Sequence, residues 1–322
     1  MASLQARENS MSHYEFRTMR PNEQHDVASL IRESTNSWYE ANGKAPIFTG
    51  DPSATMLFCD VYEALDPGCC LVAVVKETEQ IAASCFYHPR STHVSLGIMN
   101  VHPNHFGKGL ARQLLDRIVH LSEEHNKPTR LVSSAMNLDS FSLYTRGGFV
   151  PRQIFQDMTL AVPDEGLPER DIPGLHRVRK ACLDDLQDIV QLEHELCAID
   201  REKDHRFFLE NAKNIWNVCV IESEDTKQID GVLVSVRHPG STMLGPGFMR
   251  SEEDALALIR YQLDQYYRGG QPVWLVPSSC HSLVSELYGW GAKNCELHFG
   301  QTRGKWQEPR GVTMPTFMPE TG

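Results

Sequence analysis

Apolar positions along the first 160 residues alternate between a two-residue and a three-to-four-residue spacing, which predicts strands interleaved with helices. A strand is expected at Tyr14–Met19, then a helix from Asn22 to Tyr39 on Val27, Leu30 and Ile31. A second helix follows the start signal Asp51-Pro52-Ser53. Strands come next at Cys70–Lys76 and Gln80–His88, with the polar turn Glu77-Thr78-Glu79 between them, and a third at Val94–Val101. The span Gly109–Glu124 carries Leu110, Leu114, Leu115, Ile118, Val119 and Leu121 on one face of a helix. A strand at Arg130–Ala135, a helix at Leu138–Arg146 and paired strands within Phe149–Val162 complete the pattern. The expected fold class is mixed α/β, of the α+β kind, with a mostly antiparallel sheet flanked by helices.

The pattern then starts again. Residues 163–176 hold Pro163, Pro168, Pro173, Gly166 and Gly174 and read as a linker, so domains are expected at 13–162 and 177–322. Arg17, Asp26 and Leu30 recur as Arg179, Asp188 and Leu192. His88-Pro89-Arg90-Ser91-Thr92 returns as His238-Pro239-Gly240-Ser241-Thr242, Arg112, Leu115 and Asp116 as Arg260, Leu263 and Asp264, and Leu143-Tyr144 as Leu287-Tyr288. The offset shrinks steadily from 162 to 144, as it would in a duplicated domain whose second copy has lost loop residues. The period is too long for a solenoid.

Composition narrows the class. The longest apolar run, Cys69–Val75, falls far short of the roughly 20 residues of a membrane helix. Residues 1–12 are polar and lack the apolar stretch of a secretory signal, and Met11 offers a second start. Nine cysteines without a CxxC pair suggest a reduced, cytoplasmic protein with no metal site. With 31 Lys and Arg against 42 Asp and Glu, the net charge is −11, which argues against nucleic acid as a partner.

Chemistry concentrates at Val101-His102-Pro103-Asn104-His105-Phe106-Gly107-Lys108-Gly109-Leu110-Ala111-Arg112. Here a strand ends, two glycines follow, and an amphipathic helix begins. The unpaired N–H groups of a helix start favour a phosphate, and glycine lets backbone approach it closely; the glycines could equally serve only a tight turn. The segment is neither a GxxxxGK[ST] loop nor a dinucleotide fingerprint. Between Arg90 and Arg152 eight basic residues face four acidic ones, a local excess suited to an anionic ligand or to a plain solvated face.

On these residues the first half resembles the GNAT superfamily of acyl-CoA N-acyltransferases. The family loop Gln/Arg-x-x-Gly-x-Gly/Ala is matched by Phe106-Gly107-Lys108-Gly109-Leu110-Ala111, with Phe106 departing from the usual Arg or Gln. A second motif is matched by Asn137, Leu143-Tyr144 and Gly148-Phe149. The resemblance implies two tandem GNAT-like domains and acetyl-CoA, or another acyl-CoA, as co-substrate. The pyrophosphate would rest on the amides of Gly107, Lys108, Gly109, Leu110, Ala111 and Arg112, with Lys108 or Arg112 compensating for Phe106. The pantetheine arm would run along Met99 and Val101, and Asn137 would contact the cofactor. Tyr144 would protonate the departing thiolate, a step uphill by about 2 kcal/mol in water from a phenol of pKa ~10 to a thiol of ~8.5. The acceptor would be the amine of a small molecule or peptide. The strand before the loop has no carboxylate to act as base, which leaves His88, His93 and Glu63 as candidates. A non-catalytic acyl-CoA-binding regulatory protein is the alternative.

The second half reads as degenerate. At an offset of 148, Glu252-Glu253-Asp254 falls against Asn104-His105-Phe106, and Ala255 and Ala257 against the two glycines. At 144, His281 falls against Asn137 while Tyr288 keeps the tyrosine. The final stretch Gly311–Gly322, with Met314, Phe317 and Met318, is expected either to dock back into an acceptor cleft between the two domains or to fray.

Overall fold

The computed structural model of the chain describes residues 13–318, so the second start at Met11 lies outside them. The chain forms two compact units. One holds residues 13–89 and 94–129 with Met318; the other holds 90–93 and 130–317.

In the first unit, β1 (Tyr14–Thr18), β2 (Cys70–Val75), β3 (Ile81–Pro89) and β4 (Val94–Val101) form an antiparallel meander. Helices α1 (Gln24–Ala41), α2 (Met56–Leu65) and α3 (Leu110–Glu124) complete it. The apolar stripe of α3 does what its spacing predicts: Leu114, Leu115 and Ile118 are fully buried and the helix packs on β2, β3 and β4. Short 3-10 turns at Pro21–Glu23 and Pro52–Thr55 precede α1 and α2, where the spacing alone suggested an earlier helix start.

The second unit holds β5 (Thr129–Ser134), α4 (Leu138–Arg146), β6 (Val150–Thr159), β7 (Val178–Lys180), α5 (Leu186–Cys197), α6 (Glu202–Glu210), β8 (Trp216–Glu222), β9 (Ile229–His238), β10 (Ser241–Met249), α7 (Glu252–Tyr266), β11 (Val273–Pro277), α8 (His281–Gly289), β12 (Lys293–Arg303) and β13 (Val312–Met314). The expected pair of strands in 149–162 is one continuous strand, β6. The strand order is β5-β12-β6-β11-β10-β9-β8-β7, with β13 antiparallel on the far end of β10. Within this unit the terminal stretch is thus strand-paired at Val312–Met314, with Met314 buried. Among the strand pairs of this unit, β10–β11 is parallel, while β6–β11, β6–β12, β9–β10, β8–β9 and β7–β8 are antiparallel.

From β1 to β6 the order is strand, two helices, three strands, helix, strand, helix, strand; from β7 to β12 it is the same. The duplication read from scattered identities is thus a duplication of architecture. It is not a simple tandem, because the last strands are exchanged. β6, made by the first half of the chain, lies between β11 and β12 of the second half, and β12 also pairs with β5.

Candidate active site

In the first unit, β4 pairs Met99 with Cys85 and Val101 with Ala83, and both side chains are half-buried. A 3-10 turn, Pro103–His105, follows, and then the chain passes through two left-handed glycines, Gly107 (φ +73°) and Gly109 (φ +78°). Gly109 is the cap residue of α3, and no side chain caps that helix start; its first turn carries no acid. An added Cβ at either glycine would meet no atom within 4 Å, so the glycines are required by backbone conformation and not by crowding. This bare, positive helix end fits a phosphate group.

Leu110 is buried and anchors the helix start, while Lys108 and Phe106 are exposed. Arg112 does not stand over the loop as a free cation: its Nε is 2.8 Å from Asp116 Oδ1, one helical turn along. Lys108 remains to compensate for Phe106, with Nζ 3.4 Å from His105 Nδ1. His105 also meets the Tyr14 hydroxyl at 2.8 Å. Burial, then Lys108 and His102, push its pKa below the usual histidine range.

In the second unit, Asn137 is the cap of α4, its Oδ1 accepting from Ser140 N–H at 3.0 Å. Its amide oxygen therefore serves the helix, a role that its place in the motif did not reveal. Tyr144 is buried on α4, its ring 5.9 Å from Phe149. After α4 the chain turns through Gly148 (φ +85°), and Phe149 N–H donates to the Tyr144 carbonyl at 3.1 Å.

The second half differs at each of these points. Six of the eight residues between β4 and α3 have no counterpart, since only Arg250 and Ser251 separate β10 from α7. Matching helix starts moves the offset from 148 to 142. The position of Gly109 is then held by Ser251, and Ala255 and Ala257 lie inside α7. The acids do open the helix: Ser251 Oγ accepts from Asp254 N–H, Asp254 pairs with Arg177 at 2.8 Å, and Glu252 accepts from Leu283 N–H at 2.7 Å. Here the helix end is filled by the protein itself. At the second motif the frame is 143, not 144, because Ala292 N–H donates to the Leu287 carbonyl as Phe149 N–H does to Tyr144. Leu287 therefore stands where Tyr144 does, and Tyr288 is an exposed residue bonded to Gln156.

The base candidates are engaged. His88 Nδ1 lies 2.8 Å from Asp66 Oδ2, both buried. His93 is buried, and that burial, with Arg130 and Arg90 nearby, pushes its pKa well below the usual range and keeps it neutral. Glu63 accepts from the Gly68 N–H at 3.0 Å and holds a turn. The basic excess between residues 90 and 152 is only partly a surface feature, because Arg90 and Arg130 are buried in the second unit. Among the described residues no His, Cys, Asp and Glu side chains gather as a metal site, no cysteines are bridged, and no helix is long and apolar enough to cross a membrane.

Residues 31–149, which contain both motifs, match the model of the Acetyltransferase (GNAT) family. This is a tandem GNAT fold. It is similar to a proposed acetyltransferase from Pyrococcus horikoshii (15% identical, TM-score 0.70, 95% of each chain covered). It is also similar to a GCN5-related N-acetyltransferase from Sphaerobacter thermophilus (17% identical, TM-score 0.64, 93% of this chain and 98% of that one). A tandem GNAT protein of the clavulanic acid biosynthesis pathway shares the doubled GNAT architecture (11% identical, TM-score 0.57, 90% of this chain and 98% of that one). The comparison with curated proteins gave no match.

Proposed function

We propose that the chain transfers an acetyl or other acyl group from acyl-CoA to the primary amine of a small molecule or peptide. The observation that carries this reading is the uncapped start of α3 behind Gly107 and Gly109, within the segment that matches the GNAT family. The amides of residues 107–112 would hold the pyrophosphate, Met99 and Val101 would line the path of the pantetheine arm, and the donor half of the Asn137 amide would meet the cofactor. The domains are read as 13–162, which binds acyl-CoA, a linker at 163–176, and a degenerate copy at 177–322.

The thioester of acyl-CoA supplies an activated carbonyl. A neutral amine attacks it, the new C–N bond forms and the C–S bond breaks. Tyr144 gives its phenolic proton to the leaving sulfur, being protonated at neutral pH. No base is assigned, since an amine that arrives neutral sheds its proton to solvent after attack.

One observation favours the non-catalytic alternative: exposed Phe106 replaces a phosphate-binding side chain, and β4 carries no carboxylate. The two readings separate in one assay, which follows free thiol released from acetyl-CoA with a thiol-reactive dye across a panel of amines. Acceptor-dependent release supports the enzyme. Calorimetric acetyl-CoA binding without release by any amine supports the binding protein, and absence of both defeats the acyl-CoA site.

A further inference from the structure

Arg90, Arg130 and Arg201 lie buried in the second unit beside the acids Asp204 and Glu193. Arg90 Nε donates to Asp204 Oδ2 at 2.7 Å. Arg201 holds Glu193 Oε1, and His205 Nε2 lies 2.8 Å from Glu193 Oε2. Burial opposes ionisation of Glu193, yet Arg201 and His205 overcome it and hold its pKa at about 2. His93 beside them is neutral and contributes no charge.

Arg130 is left over. It is 6% exposed, and among the described residues its guanidinium makes no hydrogen bond and no ion pair. Its guanidinium carbon lies 5.3 Å from the centre of the Trp306 ring, and Glu193 and Arg201 act on it through space. Burial pulls its pKa below the usual range, but a guanidinium stays charged at physiological pH. A buried charge without a partner is among the costliest features a fold can carry.

Arg130 lines a cleft whose wall also carries Phe155, Phe248, Trp306, Gln301 and the paired Glu193 and Arg201. Gln301 is 1% exposed; its Nε2 donates to Ser133 Oγ at 2.7 Å, and its Oε1 accepts from no described residue. The cleft thus offers a two-pronged cation, one unfilled acceptor and aromatic walls. We propose that it binds a small organic monocarboxylate with an apolar body and a hydrogen-bond donor, the carboxylate on Arg130 and the donor on Gln301. The planar guanidinium fork of Arg130, which donates to no described residue, matches a carboxylate. An inorganic phosphate would bring no apolar body for its aromatic walls.

The test is calorimetric titration of the full chain, without acyl-CoA, with phenylalanine, mandelate and benzoate, each against its primary amide, and with inorganic phosphate. Because acyl-CoA is left out, acyl transfer can fail while this site stands, and the reverse. At least one acid is expected to bind and raise the Tm, with its amide tenfold weaker or worse. R130Q is expected to bind that acid at least tenfold more weakly and, without ligand, to melt at or above the wild-type temperature, since a buried charge with no hydrogen-bond partner among the described residues is gone. R130K, which keeps the charge and loses the fork, is also expected to bind at least tenfold more weakly. Gln301→Met should weaken phenylalanine and mandelate, which carry a donor, more than benzoate, which carries none. The assignment is overturned if no acid binds, if acid and amide bind alike, if phosphate binds more tightly, or if R130Q binds as wild type does. A marked fall in the Tm of ligand-free R130Q, or its failure to fold, would make Arg130 a structural strut and overturn it equally.

Discussion

Arg17 grips Glu23 through both terminal guanidinium nitrogens, and in the second half Arg179 grips Asp185 by the same fork. In each case the acid also accepts a backbone N–H three residues earlier, from Arg20 at 2.7 Å and from Cys182 at 2.8 Å. The duplicated element is therefore a clamp between the first strand and the first helix of each half. Glu23→Ala strands a guanidinium and an N–H together and is expected to cost about 1.5–3 kcal/mol. Asp185→Ala should cost less, because Glu222 still holds Arg179 Nε at 2.6 Å. Urea unfolding of the two variants checks the order; equal losses would show that Glu222 adds nothing.

Gly109 tests the phosphate loop. Gly109→Ala adds a side chain to a left-handed residue in open space, so strain of about 1–2 kcal/mol is the expected cost, with acetyl-CoA binding weakened roughly tenfold. Gly109→Glu adds a negative charge at the same point and should weaken binding roughly a hundredfold or more. Calorimetry on both variants reads this directly, and unchanged affinity in the glutamate variant would remove the pyrophosphate from α3.

Tyr144→Phe deletes one oxygen from a buried ring that packs on Phe149. Turnover is expected to fall about 10²-fold with acetyl-CoA affinity held. Near-normal turnover would leave Tyr144 a packing residue.

His93 sets a pH dependence. Its pKa in the folded chain lies well below the 6.5 of an unfolded histidine, so below that value the unfolded chain binds the extra proton. Stability from this group is complete above pH 6.5 and is lost as pH falls toward the folded pKa, by about 1 kcal/mol between pH 6.5 and 5.5. His93→Gln should flatten the slope of unfolding free energy against pH over that window. An identical slope in both proteins would place the proton elsewhere.

Much of this was written locally in the sequence. The spacing of Leu114, Leu115 and Ile118 gave α3, and Gly107 and Gly109 marked the left-handed turns where they occur. The frame of the second half was harder to read, because Arg112, Leu115 and Asp116 match Arg260, Leu263 and Asp264 inside their helices while the loop before the second helix has been shortened. Helix starts and the turn bond at Ala292 fix a frame that side-chain identity alone misplaces. The surroundings of Arg130 were illegible for a different reason: its neighbours Glu193, Arg201 and Gln301 are brought to it from positions 63 to 171 residues away, and local pattern carries no information about such partners. The exchange of β6 and β12 is non-local in the same sense.

That exchange has a consequence for how the molecule is made. Ser134 bonds to Glu296 and Ala135 N–H to the Leu297 carbonyl, so the edge of β5 waits for residues 162 positions downstream. When β6 leaves the ribosome, neither strand that will flank it has been synthesised, and the nascent first half carries open, adhesive edges until the last strands emerge. Cleavage within 163–176 would not release two independent proteins. It would give two fragments, each holding strands that the other lacks, whose natural fate on mixing is to reassemble.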